Sequence, residues 1–174
     1  MISDIIKGLT KELKYFCDKN EGMVVLDTNL KEDIAFSLPL IVLCIDTAKT
    51  SKRLPGGLTQ MDFDIYVDVY SQAPDAYVDD DTTNSTSHLD YGDLVRNHLE
   101  NEVWITQEMV DLVNNYTFRL TYSGTTKADN LKTKDSTLKG FKHTFESICY
   151  DRAISQTIDI TETAQTVVGS MEFE

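Results

Sequence analysis

Residues 61–70 read MDFDIYVDVY, and this stretch decides the fold. Met61, Phe63, Ile65, Val67 and Val69 alternate with Asp62, Asp64, Tyr66, Asp68 and Tyr70. Period-2 alternation of this kind is the mark of a strand with one face on a core. The other face carries three carboxylates and two phenols, and it is expected to be wetted. A glycine-bearing segment, Leu54–Gln60 (LPGGLTQ), leads in, and a polar, acidic segment, Ser71–Ser87, leads out.

Working outward, Leu38–Asp46 (LPLIVLCID) is a continuous apolar run, as in a strand buried on both faces, with Pro39 tolerated only near its start. Between the two strands lies Thr47–Gln60 (TAKTSKRLPGGLTQ), expected to be a flexible hairpin connection, longer than such loops usually are. It offers Lys49, Lys52, Arg53 and Leu54 as candidate contacts on a mobile tip. Upstream, Ile2, Ile5, Ile6, Leu9, Leu13 and Phe16 share one side of a 3.6-residue period, with Lys7, Lys11 and Lys14 opposite. That predicts an amphipathic helix, stopped at Asn20-Glu21-Gly22 and followed by a short strand, Met23–Asp27.

Downstream, a second helix is predicted from about Leu89 to Asn101, with Ser87 and Asp90 as a capping box and Tyr91, Leu94, Val95, His98 and Leu99 as its apolar stripe. Gly92 costs this helix about 1 kcal/mol relative to alanine and marks a close approach. Trp104-Ile105 reads as a buried anchor. Thr106–Asn114 reads as a short helix capped by Thr106, with Met109, Val110 and Val113 inward. Phe118–Tyr122 alternates and is expected to end at Ser123-Gly124, before a polar loop or ragged hairpin, Thr125–Thr137. Phe141–Arg152 alternates again, with His143, Phe145, Ser147 and Cys149 on one face; which face is inward stays open. Beyond Ser155, Ile158, Ile160, Val167 and Val168 punctuate a polar segment expected to be an arm that reaches something.

The fold class that follows is α+β: a single, mostly antiparallel sheet packed by two amphipathic helices, with a long acidic loop. The core domain is expected over residues 1–154 and an extended C-terminal arm over 155–174. A chain of 174 residues is long enough for a proper core. With 16 Lys and Arg against 29 Asp and Glu, the formal net charge is −13, which argues against tight sequence-independent binding to nucleic acid. The three cysteines are dispersed and read as reduced core thiols, and with no signal-like start the chain reads as intracellular. The longest apolar run is too short to span a bilayer.

Motif chemistry is missing where it would be expected. The histidines His88, His98 and His143 are scattered, no Ser-His-Asp or Cys-His context appears, and neither common phosphate-binding glycine motif is present. Asp79-Asp80-Asp81 is consecutive rather than alternating, lacks the glycine of a calcium loop, and has Asp90 where that loop has glutamate. A hydrolase using Asp62, Asp64 and Asp68 is the remaining enzymatic option, but carboxylates at alternate strand positions normally face water. No catalytic, cofactor-binding or metal site is therefore expected.

The element order resembles that of the tail-completion or tail-terminator proteins of tailed bacteriophages. The resemblance rests on Met1–Phe16 (MISDIIKGLTKELKYF), the proline-containing strand Leu38–Asp46, Phe63–Ser71 (FDIYVDVYS) and Leu89–Leu99 (LDYGDLVRNHL), and it covers roughly the first two thirds of the chain. The acidic loop, the Thr125–Thr137 insertion and the C-terminal arm depart from the usual form. The resemblance implies a small α+β fold whose copies form a homo-oligomeric ring at the neck or tail end of a virion, made in the host cytoplasm. DNA would pass through the lumen without specific binding, and neighbouring neck, portal-side or tail-tube proteins would be partners, with no membrane. Asp62, Asp64 and Asp68 would then be subunit contacts, beside the loop and the arm. The alternative is a non-viral α+β protein-binding module without catalysis.

Overall fold

The computed structural model describes residues 2–29, 37–46, 50–70, 82–101, 104–132 and 137–152, with the backbone alone for 50, 82–90, 151 and 152. The expected arm, with Ile158, Ile160, Val167 and Val168, lies outside the described residues, as do Lys49 and Asp79-Asp80-Asp81.

The order of elements is α1 (Ile2–Asn20), β1 (Met23–Leu26), β2 (Leu40–Ile45), β3 (Thr50–Arg53), β4 (Leu58–Tyr70), α2 (Thr82–Glu100), α3 (Gln107–Tyr116), β5 (Arg119–Lys127), β6 (Leu131–Lys132), β7 (Thr137–Leu138) and β8 (Phe141–Arg152). The main sheet has six strands in the order β1-β2-β4-β8-β5, with β3 continuing the β2 edge of β4. Only β1 and β2 pair in parallel. The α+β class and the mostly antiparallel sheet are as the alternation predicts.

β4 is the strand the others are measured against. Its first half pairs β3 and its second half pairs β2 along one edge, while β8 runs the length of the other edge, Leu58 opposite Arg152 and Val69 opposite Phe141. Phe63, Ile65, Val67 and Val69 face the main core. There they meet Ile5, Leu9, Leu13 and Phe16 of α1, Tyr91, Val95 and Leu99 of α2, and Met109 and Leu112 of α3. This register settles β8: His143, Phe145, Ser147 and Cys149 are inward, and Ile148 is left outside.

Three helices rather than two cover that face, and a second, two-stranded sheet (β6-β7) covers one corner of the other. Leu40, Val42 and Tyr70 pack beneath this small sheet with Ala128 and Leu138. β2 is thus buried on both faces at its start, Ile41 and Leu43 toward the helices and Leu40 and Val42 away from them.

Several local expectations need correction. α2 begins at Thr82, so Ser87 lies inside it and is no capping residue. Serine, threonine and asparagine cost a helix well under 1 kcal/mol each, and a turn already packed at Tyr91–Leu99 propagates through them. Leu94 is 49% exposed because it sits about 100° round the helix from Val95. β5 does not stop at Ser123-Gly124; the register shifts there as a bulge and the strand continues along β8. Thr47–Gln60 is not a loop throughout, since β3 pairs with β4 and the turn contracts to 54–57, closed by Leu54 N–H donating to the Leu58 carbonyl at 2.8 Å. Gly56 and Gly57, at φ 81° and 78°, supply the left-handed backbone this turn requires.

The helix layer is tied together by a carboxylate. Glu12 on α1 is 0% exposed. It accepts from Thr106 N–H at 2.9 Å, Thr106 Oγ1–H at 2.6 Å, Ile105 N–H at 3.3 Å and His98 Nε2–H at 2.9 Å. Thr106 occupies the N-cap position of α3, but its hydroxyl serves Glu12 instead of capping. With the Ile105 amide aimed inward, its side chain is 52% exposed, and only Trp104 of the expected anchor packs on the core. Met109 and Leu112 are the buried residues of α3; Val110 and Val113 are half-buried.

Candidate functional site: the open sheet face and the hairpin tip

Away from the helices and β6-β7, the sheet has an open face built from the even-numbered residues of β4 and β8. Cross-strand register puts Asp62 opposite Ile148, Asp64 opposite Glu146, Tyr66 opposite Thr144 and Asp68 opposite Lys142. Asp64 and Glu146 are like charges at one rung, an arrangement that disfavours pairing unless other contacts compensate. The Tyr66 hydroxyl donates to Asp64 Oδ2 at 3.3 Å, and Asp64 is 6% exposed. Asp62 accepts from Gln60 Nε2 at 2.8 Å.

Two hollows indent this face. One, of about 280 Å³, is lined by Asp62, Asp64, Thr121, Glu146 and Ile148 among others. The second, of about 380 Å³, lies where this face borders β6, with Leu131 and Tyr70 on that side and Asp27, Cys44, Asp68, Asp129 and Lys142 among the rest of its lining. In the second hollow Lys142 Nζ is 3.7 Å from Asp129 and 3.9 Å from Asp68, beyond hydrogen-bonding reach of either. Burial pushes the Asp68 carboxyl up to about 6, opposed by Lys142 and reinforced by Asp129 and Asp27. The Lys142 ammonium and burial pull in opposite directions; burial wins because the ammonium is distant and the described residues lining the hollow set three carboxylates against one cation. Burial likewise raises the Cys44 thiol, with Asp27 and Asp68 adding to it, so this sulfur stays protonated at neutral pH.

The wetted face expected of β4 is therefore only partly wetted. Tyr70 is 3% exposed beneath the small sheet, its hydroxyl donating to the Asp129 carbonyl at 2.8 Å. The structure brings Asp62, Asp64 and Asp68 together along one strand face, as their spacing predicts. It adds Asp27, Asp129, Lys142 and Glu146, which sequence reasoning missed. The signal for Lys142 and Glu146 was the alternation of β8, legible once Phe145 and Cys149 are placed inward. Asp27 and Asp129 carried none.

Lys52 and Arg53 stand at the far end of the same sheet, on β3, both exposed; Leu54 is half-buried at the turn. Among the described residues neither cation meets a carboxylate. Among the described residues, an ideal Cβ built on Gly56 or Gly57 would meet nothing within 4 Å, so both positions face open space.

A separate buried titratable group lies on the helix side. His143 is 3% exposed, its Nδ1 2.7 Å from Thr125 Oγ1 and its Nε2 against Gly92, where a Cβ would come within 3.2 Å. That is the close approach a glycine within a helix predicts. Burial, then the Arg96 charge, holds this imidazole below its ordinary range.

Among the described residues no group of three or more His, Cys, Asp or Glu is placed to hold a metal ion. No helix among them is long and apolar enough to cross a membrane. The chain matches no family model and no curated protein sequence.

Proposed function

We propose that this chain is a structural subunit of a ring at the neck or tail end of a tailed bacteriophage, of the tail-terminator or head-tail-joining kind. The observation that carries this reading is the one-sidedness of the sheet. Among the described residues, three helices cover one face, while the other carries only β6-β7 at one corner, is acidic, and runs on to the basic β3–β4 hairpin. Ring subunits related by rotation contact one another through two unlike surfaces, and a sheet with a bare face and an outlying hairpin supplies two. The resemblance in element order points the same way.

The charge balance suits the role. A net charge of −13 gives a wall that repels the phosphate backbone, so that DNA slides past without sticking. On this reading the protein acts by shape rather than by catalysis, needs no cofactor, and works in the virion after synthesis in the host cytoplasm. Its partners are its own copies and the adjoining neck, portal-side or tail-tube proteins.

Negative-stain imaging with light scattering, on the chain alone and with the products of neighbouring genes, tests the reading. Closed rings are the expected result. A chain that stays monomeric in both settings refutes it and leaves a protein-binding module as the better description.

A further inference from the structure

We infer that the basic tip of the β3–β4 hairpin docks into the acidic hollow on the open sheet face of a second copy of this chain, a head-to-tail contact. The inference rests on the ring reading above and names the contact that would build the ring. Its first support is charge complementarity. Asp27, Asp68 and Asp129 line the hollow with Lys142 as the one cation among the described lining residues, and Lys52 and Arg53 are exposed on β3 next to the turn. Asp129 is 99% exposed at its side chain, so the rim of the hollow is open to an incoming cation.

The second support is reach. At about 3.3 Å per residue, Asp68 lies roughly 35 Å along β4 from the turn at Gly57. β4 is held rigid between β2 or β3 on one edge and β8 on the other, so the tip cannot fold back onto its own hollow. Tip and hollow therefore meet only between molecules. Because they lie on opposite ends of one sheet, each copy gives a tip and receives one, and the contact propagates until rotation closes it.

The third support is the form of the tip. The turn is closed by the Leu54–Leu58 backbone hydrogen bond and is held in register by the β3–β4 pairing, so little ordering is lost on docking. A hollow of about 380 Å³ admits a long cationic side chain. An arriving cation there also opposes the repulsion that Asp129 and Asp27 add to the effect of burial on Asp68.

The experiment is a charge-swap mixing test by sedimentation velocity. The tip variant is K52E with R53E, and the face variant is D27K with D129K; all four positions are exposed, and thermal melts check that both variants fold. Wild type should associate at low salt and dissociate at about 1 M, where screening acts within about 3 Å. Each variant alone should show association weakened by about tenfold or more. Their mixture should recover it, because alternating copies restore opposite charges at every contact. Variants that associate like wild type, or a mixture that does not recover, overturn the contact while leaving the ring reading standing. A wild-type chain that is monomeric alone at low salt also overturns it; rings formed only with neck partners would still support the ring reading.

Discussion

Replacing Glu12 by alanine isolates the device that joins the three helices. The substitution strands Thr106 N–H, Thr106 Oγ1–H, Ile105 N–H and His98 Nε2–H at a site where the glutamate is 0% exposed. Each buried donor left without an acceptor costs about 1–3 kcal/mol. Water entering the vacated space satisfies some of them, and the desolvation cost of the carboxylate is recovered. The first turn of α3 also loses a negative charge near its N-terminus, a further 0.3–1 kcal/mol or so. The net loss is about 3–5 kcal/mol, as found when one partner of a buried ionic contact is removed. In a domain of this size that lowers Tm by roughly 6–20 °C. Urea titration and thermal melts followed by circular dichroism at neutral pH measure it directly. E12Q should fall between alanine and wild type, because its carboxamide oxygen still accepts while its NH2 confronts donors. A loss below about 1 kcal/mol for E12A would refute the reasoning, since it would mean the donors find other partners at no cost.

Asp68 should make stability fall as pH rises. Its folded pKa lies above the unfolded value, so its contribution is fully present below about 4 and is lost as pH climbs through about 6. The full shift corresponds to about 3 kcal/mol, reduced to about 1 by solvent screening at a partly exposed site, so D68N should stabilise by that amount at pH 7.5 and be neutral at pH 4, by thermal melts at both. Gly140→Ala should cost about 2–3 kcal/mol in chemical denaturation, because its Cβ would collide with the Val69 carbonyl and press on the Tyr70 ring at 2.7 Å. Tyr91→Phe removes the hydroxyl that donates to the Glu21 carbonyl at 2.9 Å and should lose about 1 kcal/mol in the same assay. A change within error for either would show that the neighbouring chain moves aside freely.

The strands were legible because alternation survives in the local sequence. β4 and β8 each carry their facing in residue spacing, and β2 its two-sided burial in an unbroken apolar run. The Glu12 junction was not legible: a glutamate between Leu9, Leu13 and Phe16 looks like the edge of an exposed face, and its partners lie some ninety residues away. His98 falls on the apolar stripe of α2, yet its ring nitrogen meets a carboxylate of α1, a partner no spacing within its own helix reveals. The early start of α2 was hidden for the opposite reason, since Thr82–Ser87 has the composition of a loop and is helical only by continuation. At the site, the β4 carboxylates were visible as a face. The hollow needed β8, Asp27 and Asp129, brought together by topology that no local pattern encodes.

The place of β8 in the sheet also bears on how the chain is made. β4 ends at Tyr70, yet the strand that covers its second edge begins only at Phe141. During synthesis the β2–β3–β4 hairpin is complete long before that edge can be closed, and an apolar strand with unpaired amides is an invitation to pair with a neighbour. The carboxylates of β4 itself then act at a second level. A nascent β4 carrying Asp62, Asp64 and Asp68 repels another copy of itself in register, so the waiting edge is guarded by charge until its own β8 arrives.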